Sequence, residues 1–323
     1  MYYLGVDGGG TKTKFILADE QGKILADDYQ PTCHYLQVGL DGVTEIINKG
    51  IEEVCAKANV SRKDIVSAFV GCPGYGDIKK DMPIIAEAVK KGMNGINCSI
   101  GNDGENAMAG ALCGKDGINI VCGTGSIGFG HNSINNTTLS CGGWHHAVGS
   151  DEGSGYWMSY HLLHEFTRQA DGRDEKTQLY DAVKQHLELE EDGDVIEVVV
   201  NKWNVDRTKV ASLSRVVADL YDKGDKYAKK IVDDAAKELS EIINTLYNRL
   251  QFNDCVNVSY TGGIFNFNEK IINPLKSYLL PGRMNLVAPE FEPDCGSLLL
   301  AYKNNNIEIT DTIIANIKST FIK

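Results

Sequence analysis

The chain has 323 residues, of which 42% are hydrophobic and 24% charged, and its formal net charge is −12. That length builds a large core and predicts about two domains. An acidic surface without an offsetting basic patch excludes nucleic acid and anionic membranes as expected partners. No run approaches the roughly 18 apolar residues of a membrane span, and the first residues read as a strand rather than a leader, so a cytoplasmic protein is expected. The nine cysteines are scattered singly, with no C-x-x-C and several in apolar strands, which suggests free thiols rather than disulfides or a structural zinc site.

The opening reads as a β-meander: "YYLGVD", a glycine turn, "KFILADE", a second turn and "KILADDY". Val43, Ile46, Ile47, Ile51, Val54, Cys55 and Ala58 recur at helical spacing and predict a helix over 43–58. "DIVSAFVGCPG" is a buried strand, residues 82–92 a second helix, "INCSIGND" a strand and "GENAMAGALCG" a helix. The first part therefore reads βββαβαβα. The pattern then restarts at "INIVCGTGSIGFGHN", again a strand, a glycine turn and a strand. Helical stretches fill 153–251, "VNVSYTGGIFNF" adds a strand and glycine turn, "FEPDCGSLLLAY" opens a helix after proline, and "TDTIIANIKSTFIK" reads as a terminal helix. The expected division is a first domain over 1–116, with the terminal helix 309–323 packing back on it, and a second over 117–308 carrying the helical insertion 153–251.

"VDGGGTKTK" fits neither the G-x-x-x-x-G-K-[ST] nor the G-x-G-x-x-G motif, because a strand follows it. Two halves that each open on a glycine-rich hairpin suggest instead a clamp on one phosphate chain, through exposed backbone N–H groups at Gly9, Gly10 and Gly125. Thr11, Thr13, Thr124 and Ser126 add hydroxyl donors. Asp7, just ahead of the first turn, can hold Mg²⁺ through water. Asp103 ends a strand and starts a helix, the place where α/β proteins present catalytic groups; it reads equally as a general base or as a helix N-cap. Asp151 and Glu152 can bind vicinal hydroxyls, or cap the helix that follows. Trp144 can form a wall for a ligand, with His145 and His146 behind it.

"GVDGGGTKTKFILAD", "GTGSIGFG" and "TGGIF" resemble the two phosphate motifs and the adenosine motif of the actin, heat-shock chaperone and hexokinase superfamily. "GNDGENAMAGAL" and "CGGWHHAVGSDEGSGYW" resemble the N-acetylglucosamine kinases of the BadF/BadG/BcrA/BcrD group. The resemblance implies an α/β fold of two duplicated ribonuclease H-like domains with a cleft between them, closing on the substrate to exclude water, and commonly a homodimer. It implies an ATP- and Mg²⁺-dependent kinase acting at the 6-hydroxyl of an amino sugar: N-acetylglucosamine, with N-acetylmuramic acid or glucosamine as alternatives. It tips Asp103 towards the base and Asp151 towards sugar contact. It also implies sugar contacts for His34, Tyr35, Cys72, Asn102, Gly143, Trp144 and Glu152, and an adenosine site at Gly262, Gly263, Asn266 and Gly296. Cys33 stands where the resembling kinases carry asparagine. The competing readings are an ATPase activator of a dehydratase, which needs interface cysteines for an iron–sulfur cluster, and a nucleotide-switched binding module.

Overall fold

A computed structural model of the chain describes residues 1–321. The meander forms as β1 (Tyr2–Gly8), β2 (Lys12–Asp19) and β3 (Ile24–Pro31), followed by α1 (Tyr35–Ala58), β4 (Ile65–Cys72), α2 (Met82–Met93), β5 (Cys98–Asn102) and α3 (Asp103–Ala111). The sheet order is β3-β2-β1-β4-β5, with β1, β4 and β5 parallel. The first helix starts eight residues ahead of its apolar stripe: His34 caps it and Gly39, at φ +71°, kinks it before Val43. Periodicity could not reveal the turns before the kink, because they carry no buried stripe.

The repeat is β6 (Gly117–Cys122), β7 (Ser126–Asn132) and β8 (Thr137–Gly142). Then come α4 (Gly155–Ala170), α5 (Gln178–Leu187), the single turn α6 (Asp194–Ile196), α7 (Arg207–Ser212), α8 (Ser214–Asp222) and α9 (Lys226–Arg249). The segment ends with β9 (Val256–Thr261), α10 (Glu269–Tyr278) and β10 (Met284–Leu286). Its sheet order is β10-β9-β6-β7-β8. Sequence reading misses β8 and β10. "TTLSCG" is polar and only partly buried, and β10 has three residues, too few to show alternation.

The last helices are α11 (Pro293–Asn304) and α12 (Asp311–Thr320). The chain divides into two compact units, residues 1–116 with 288 onward, and residues 117–287. This corrects the expectation for 288–308, which returns to the first unit. The reason is burial: α11 is apolar on most of its circumference, and Leu298, Leu299 and Tyr302 are sealed against Tyr3, Ile16 and Phe69 of the first sheet. The last two residues of the expected terminal helix lie outside the described residues. Among the described residues no helix is long and apolar enough to cross a membrane.

Strand alternation assigns the faces of the first sheet. Leu4, Val6, Ala68 and Val70 face α1 and α2, in a core with Val43, Ile47 and Val89. Tyr3 and Phe69 face α11, and Asp7 and Gly71 lie on that same side. Glycines let the layers meet: a Cβ on Gly5 would lie 2.5 Å from the Leu298 backbone nitrogen, and one on Gly296 would lie 1.9 Å from the Asn106 carbonyl oxygen. Both obstacles are backbone, which cannot swing aside. Gly296→Ala should therefore cost about 1–3 kcal/mol or more through overpacking, read as a lower urea midpoint with an unchanged slope. A midpoint equal to the parent's would show that α11 can lift without penalty.

Candidate active site

The carboxyl ends of the parallel strands β1, β4 and β5 bring Asp7, residues 71–76 and Asn102-Asp103 together, with Asp7 in register with Gly71 and Cys72 with Asn102. Asn102, not Asp103, caps α3: its side-chain oxygen accepts from Gly104 N at 2.9 Å, and Glu105 completes the capping box through Asn102 N at 3.0 Å. Its Nδ2 donates to Tyr75 O at 2.9 Å, so its side-chain groups are engaged within the protein rather than offered to a sugar. Asp103 is thus relieved of capping. Burial first, then the Asp7 carboxylate, raises its pKa to about 7, against the lowering effect of the backbone amides of Asp103 and Gly104. Burial likewise raises Asp7 to about 6, with Asp294 adding and Asn106 opposing.

Asn106, which the sequence reading did not single out, is fully buried, and its Nδ2 donates to Asp7 Oδ1 at 2.7 Å. Lys14, another missed residue, pairs with Asp294 of α11 at 2.5 Å. Asp7, Gly9, Thr11, Lys12, Lys14 and Asp294 line one cavity of about 430 Å³. Gly9 N closes the turn on Lys12 O at 2.8 Å, while a Cβ at Gly10 would meet nothing within 4 Å, so the tip of the loop is open. Thr13 departs from its expected role as a phosphate donor. It is fully buried, its hydroxyl donates to Pro31 O at 2.9 Å and the same oxygen accepts from Cys33 N at 3.0 Å.

His34 accepts from Leu36 N at the start of α1 and stacks on Tyr35, with ring centroids 5.8 Å apart. Tyr35 donates to Asp81 Oδ2 at 2.9 Å. A Cβ on Gly74 would lie 3.4 Å from the His34 ring, so the loop 71–76 and the His34-Tyr35 stretch form one wall. Cys33 and Cys72 are both buried. Their shared hydrogen bond holds the Cys33 thiol below, and helps to push the Cys72 thiol well above, the usual range.

In the second unit, Gly123 N bonds Gly125 O at 2.8 Å and Tyr156 N bonds Thr124 O at 3.2 Å, fixing the turn on the start of α4. Asp151 is 2% exposed with φ +69°. Its Oδ2 accepts from Arg207 at 2.6 Å and its Oδ1 from Ser126 N at 3.3 Å. Ser126 Oγ donates to Glu152 O at 2.6 Å. Both Ser126 donors are thus used internally, which corrects its assignment as a phosphate donor; Asp151 holds an ion pair that the sequence reading missed. Gly143 (φ +74°) turns the chain at the end of β8, and a Cβ there would lie 2.7 Å from Ile127. Trp144 is 79% exposed, and its backbone N donates to Ser150 Oγ, which in turn donates to Glu152 Oε2 at 3.1 Å.

A cavity of about 710 Å³ in this unit is lined by Gly123, Thr124, Gly263 and Asn266, together with Ser212, Arg215 and Asp219 of the helical segment. Gly262, at φ +103°, packs on the Cys122 carbonyl at 2.3 Å from a would-be Cβ and sets the turn rather than lining the space. Gly296 lies on α11 in the first unit, against Asn106. Nothing in the sequence pattern distinguishes Arg215 and Asp219 from ordinary helix-surface charges, since they follow no glycine turn.

The profile of the BadF/BadG/BcrA/BcrD ATPase family matches residues 4–301. The chain is 30% identical over 280 residues to an N-acetylmuramic acid/N-acetylglucosamine kinase of Clostridium acetobutylicum, covering 86% of this chain and 90% of that one. It is 30% identical to an N-acetyl-D-glucosamine kinase of Dictyostelium discoideum, over 93% of this chain and 97% of the relative. Among solved structures, a Chromobacterium violaceum chain superposes with a TM-score of 0.69 at 24% identity, over 93% of this chain and 98% of that one. A ROK hexokinase of Thermus thermophilus superposes at 0.58 and 15% identity, over 94% and 98%. The fold is thus the two-domain α/β fold of the actin and hexokinase type.

The raised pKa of Asp103 has a consequence for stability. Its folded value, about 7, exceeds the ordinary 3.8. The protonated form therefore favours the folded state, and that contribution is complete below pH 3.8 and is lost as pH rises through 7. Asp103→Asn removes the charge at every pH. It should stabilise the protein by up to about 4 kcal/mol at pH 8, with the gap closing towards pH 4, as followed by thermal melting. Equal melting temperatures at pH 8 would show that the carboxylate is not desolvated.

Proposed function

The chain belongs to the BadF/BadG/BcrA/BcrD ATPase family, and from that premise we propose that it is a cytoplasmic, homodimeric ATP-dependent kinase. Its acceptor is the 6-hydroxyl of N-acetylglucosamine, with N-acetylmuramic acid as a further acceptor. The observation that carries this reading is Asp103. It stands at the carboxyl end of β5, freed from capping by Asn102 and tuned to about pH 7. A base is most useful when its pKa lies near the working pH. The names of the relatives support the sugar.

In this mechanism the sugar O6–H proton passes to the Asp103 carboxylate as O6 forms its bond to the γ-phosphorus and the bond from that phosphorus to the ADP oxygen breaks. In a loose phosphoryl-transfer transition state, aiming O6 matters as much as deprotonating it. In the first unit, Gly10 and Thr11 offer donors to phosphate oxygens; in the second, taken by itself, the cavity lined by Thr124, Gly263 and Asn266 has room for adenosine. The donor set of the first unit fits Mg²⁺. Asp7 and Asp103 are hard oxygen donors, the Asp7 carboxylate raises the pKa of Asp103, and the nearby Lys14 is already paired with Asp294. Among the described residues no three His, Cys, Asp or Glu side chains converge on one point. That suits an ion held by one carboxylate and its own waters rather than a protein cage. Asp7 would hold it, and when bound it neutralises charge on the β- and γ-phosphates.

Asp103→Asn should lower kcat about a hundredfold to ten-thousandfold, while the dissociation constant for N-acetylglucosamine stays within about threefold. In the parent enzyme kcat/KM should climb with pH and level off above about 7. Turnover of Asp103→Asn within a few-fold of the parent would remove Asp103 as the base.

The wall formed by His34, Tyr35 and the loop 71–76 is the proposed seat of the 2-acetamido group. An unmatched buried amide partner costs roughly 1–3 kcal/mol. N-acetylglucosamine should therefore exceed glucose in kcat/KM by at least about tenfold, measured side by side with glucosamine and N-acetylmuramic acid. Equal efficiency on glucose would sink the amino-sugar reading.

A further inference from the structure

We propose that Asn106 is a positioning residue whose side-chain amide locks the rotamer of Asp7, dedicating one carboxylate oxygen to the protein and the other to magnesium-bound nucleotide. This rests on the kinase reading for the ligand, and on the geometry for the residue.

Asn106 Nδ2 lies 2.7 Å from Asp7 Oδ1 and 3.3 Å from Val6 O. Both neighbours are acceptors, so the reversed amide would set oxygen against oxygen, and the orientation is fixed by chemistry. Asn106 Oδ1 is buried with no hydrogen-bond partner. Such an orphan is a stability cost, and a residue present only to fill space between α3 and β1 would be apolar. What the amide supplies that an apolar residue lacks is a donor to Asp7. The surroundings are cut to admit it. A Cβ on Gly71 would fall 2.0 Å from Asn106 Nδ2, and a Cβ on Gly296 1.9 Å from the Asn106 carbonyl oxygen. A carboxylate on a free rotamer would divide its time among orientations. A charge-assisted bond to a fully buried donor removes that freedom. Asp7 lines the cavity with the phosphate loop residues Gly9 and Thr11, so its orientation decides what enters there.

The test compares the parent with Asn106→Leu, which keeps the branching of the side chain and removes the donor, and with Asn106→Ser, which keeps a donor on a shorter side chain. Calorimetry measures ADP affinity with Mg²⁺ and with a chelator in its place, and thermal melting and the KM for N-acetylglucosamine accompany it. Asn106→Leu should melt at or above the parent temperature. It should bind ADP without Mg²⁺ as the parent does, and lose at least about fivefold of the affinity that Mg²⁺ adds, with the sugar KM within about twofold. Asn106→Ser should recover part of that gain. If Asn106→Leu does not fold, Asn106→Ser alone decides, through a gain lying between the parent's and none. An Mg²⁺-dependent gain unchanged in the variants overturns the proposal. So does a variant that loses melting temperature, sugar affinity and nucleotide affinity together, or a parent that gains nothing from Mg²⁺. A parent that shows the gain, loses it in Asn106→Leu and yet fails to phosphorylate any amino sugar supports this inference while sinking the substrate reading.

Discussion

Two carboxylates that repel each other are held at the same end of one sheet, and much of the first unit is arranged to tolerate them. Asp7 lies in β1 and Asp103 directly follows β5, two strands separated only by β4, and the Asp7 carboxylate raises the pKa of Asp103. Lys14 and Lys12 relieve Asp7 only in part, because Asp294, which raises its pKa, also occupies the Lys14 amine at 2.5 Å. Burial outweighs both lysines, so the Asp7 carboxyl stays above its ordinary range. The backbone amides at the start of α3 soften the burden on Asp103 without cancelling it. Stability is given up locally for a group poised near neutrality, as catalytic sites commonly do.

The second unit repeats the shape of the first hairpin but not its electrostatics. Where β1 runs into its turn through Asp7 and Gly8, β6 runs into its own through Cys122 and Gly123, and the Cys122 thiol is fully buried, with its pKa raised by burial. The second turn has no carboxylate of its own to hold a metal. Its acid comes from 25 residues downstream: Asp151 reaches Ser126 N and is neutralised by Arg207. Similar backbone turns thus carry an open anionic edge in one unit and a closed ion pair in the other. A duplicated fold divides its labour in this way through single side chains rather than through topology.

What the sequence disclosed was local. The glycine turns, the strand-end position of Asp103 and the restart of the pattern at residue 117 depend on neighbours within a few positions, and periodicity and turn chemistry report those. The missed features join residues far apart in the chain. Lys14 meets Asp294, Asp7 meets Asn106, and Asp151 meets Arg207, and none of these pairs leaves a mark on local pattern. The same limit explains Thr13 and Ser126. A hydroxyl beside a glycine turn looks available until its acceptor is known, and theirs are the carbonyls of Pro31 and Glu152. The capping ambiguity at Asp103 was resolved by the residue before it, since Asn102 with Glu105 three positions later forms a capping box whose pattern lay open in "NDGE".

Asp151 shows what it takes to bury a carboxylate. A non-glycine residue at φ +69° is strained, and a carboxylate that is 2% exposed is costly to desolvate. Ser126 N and Arg207 offset the desolvation, and the tight packing around Gly125, where a Cβ would lie 2.0 Å from Arg207 Nη2, holds the pair in place. Each carboxylate oxygen carries two lone pairs, and only one on each is used. The pair is therefore held by geometry rather than by filling every acceptor site, and the positive φ persists because both contacts hold the residue from opposite ends of its carboxylate.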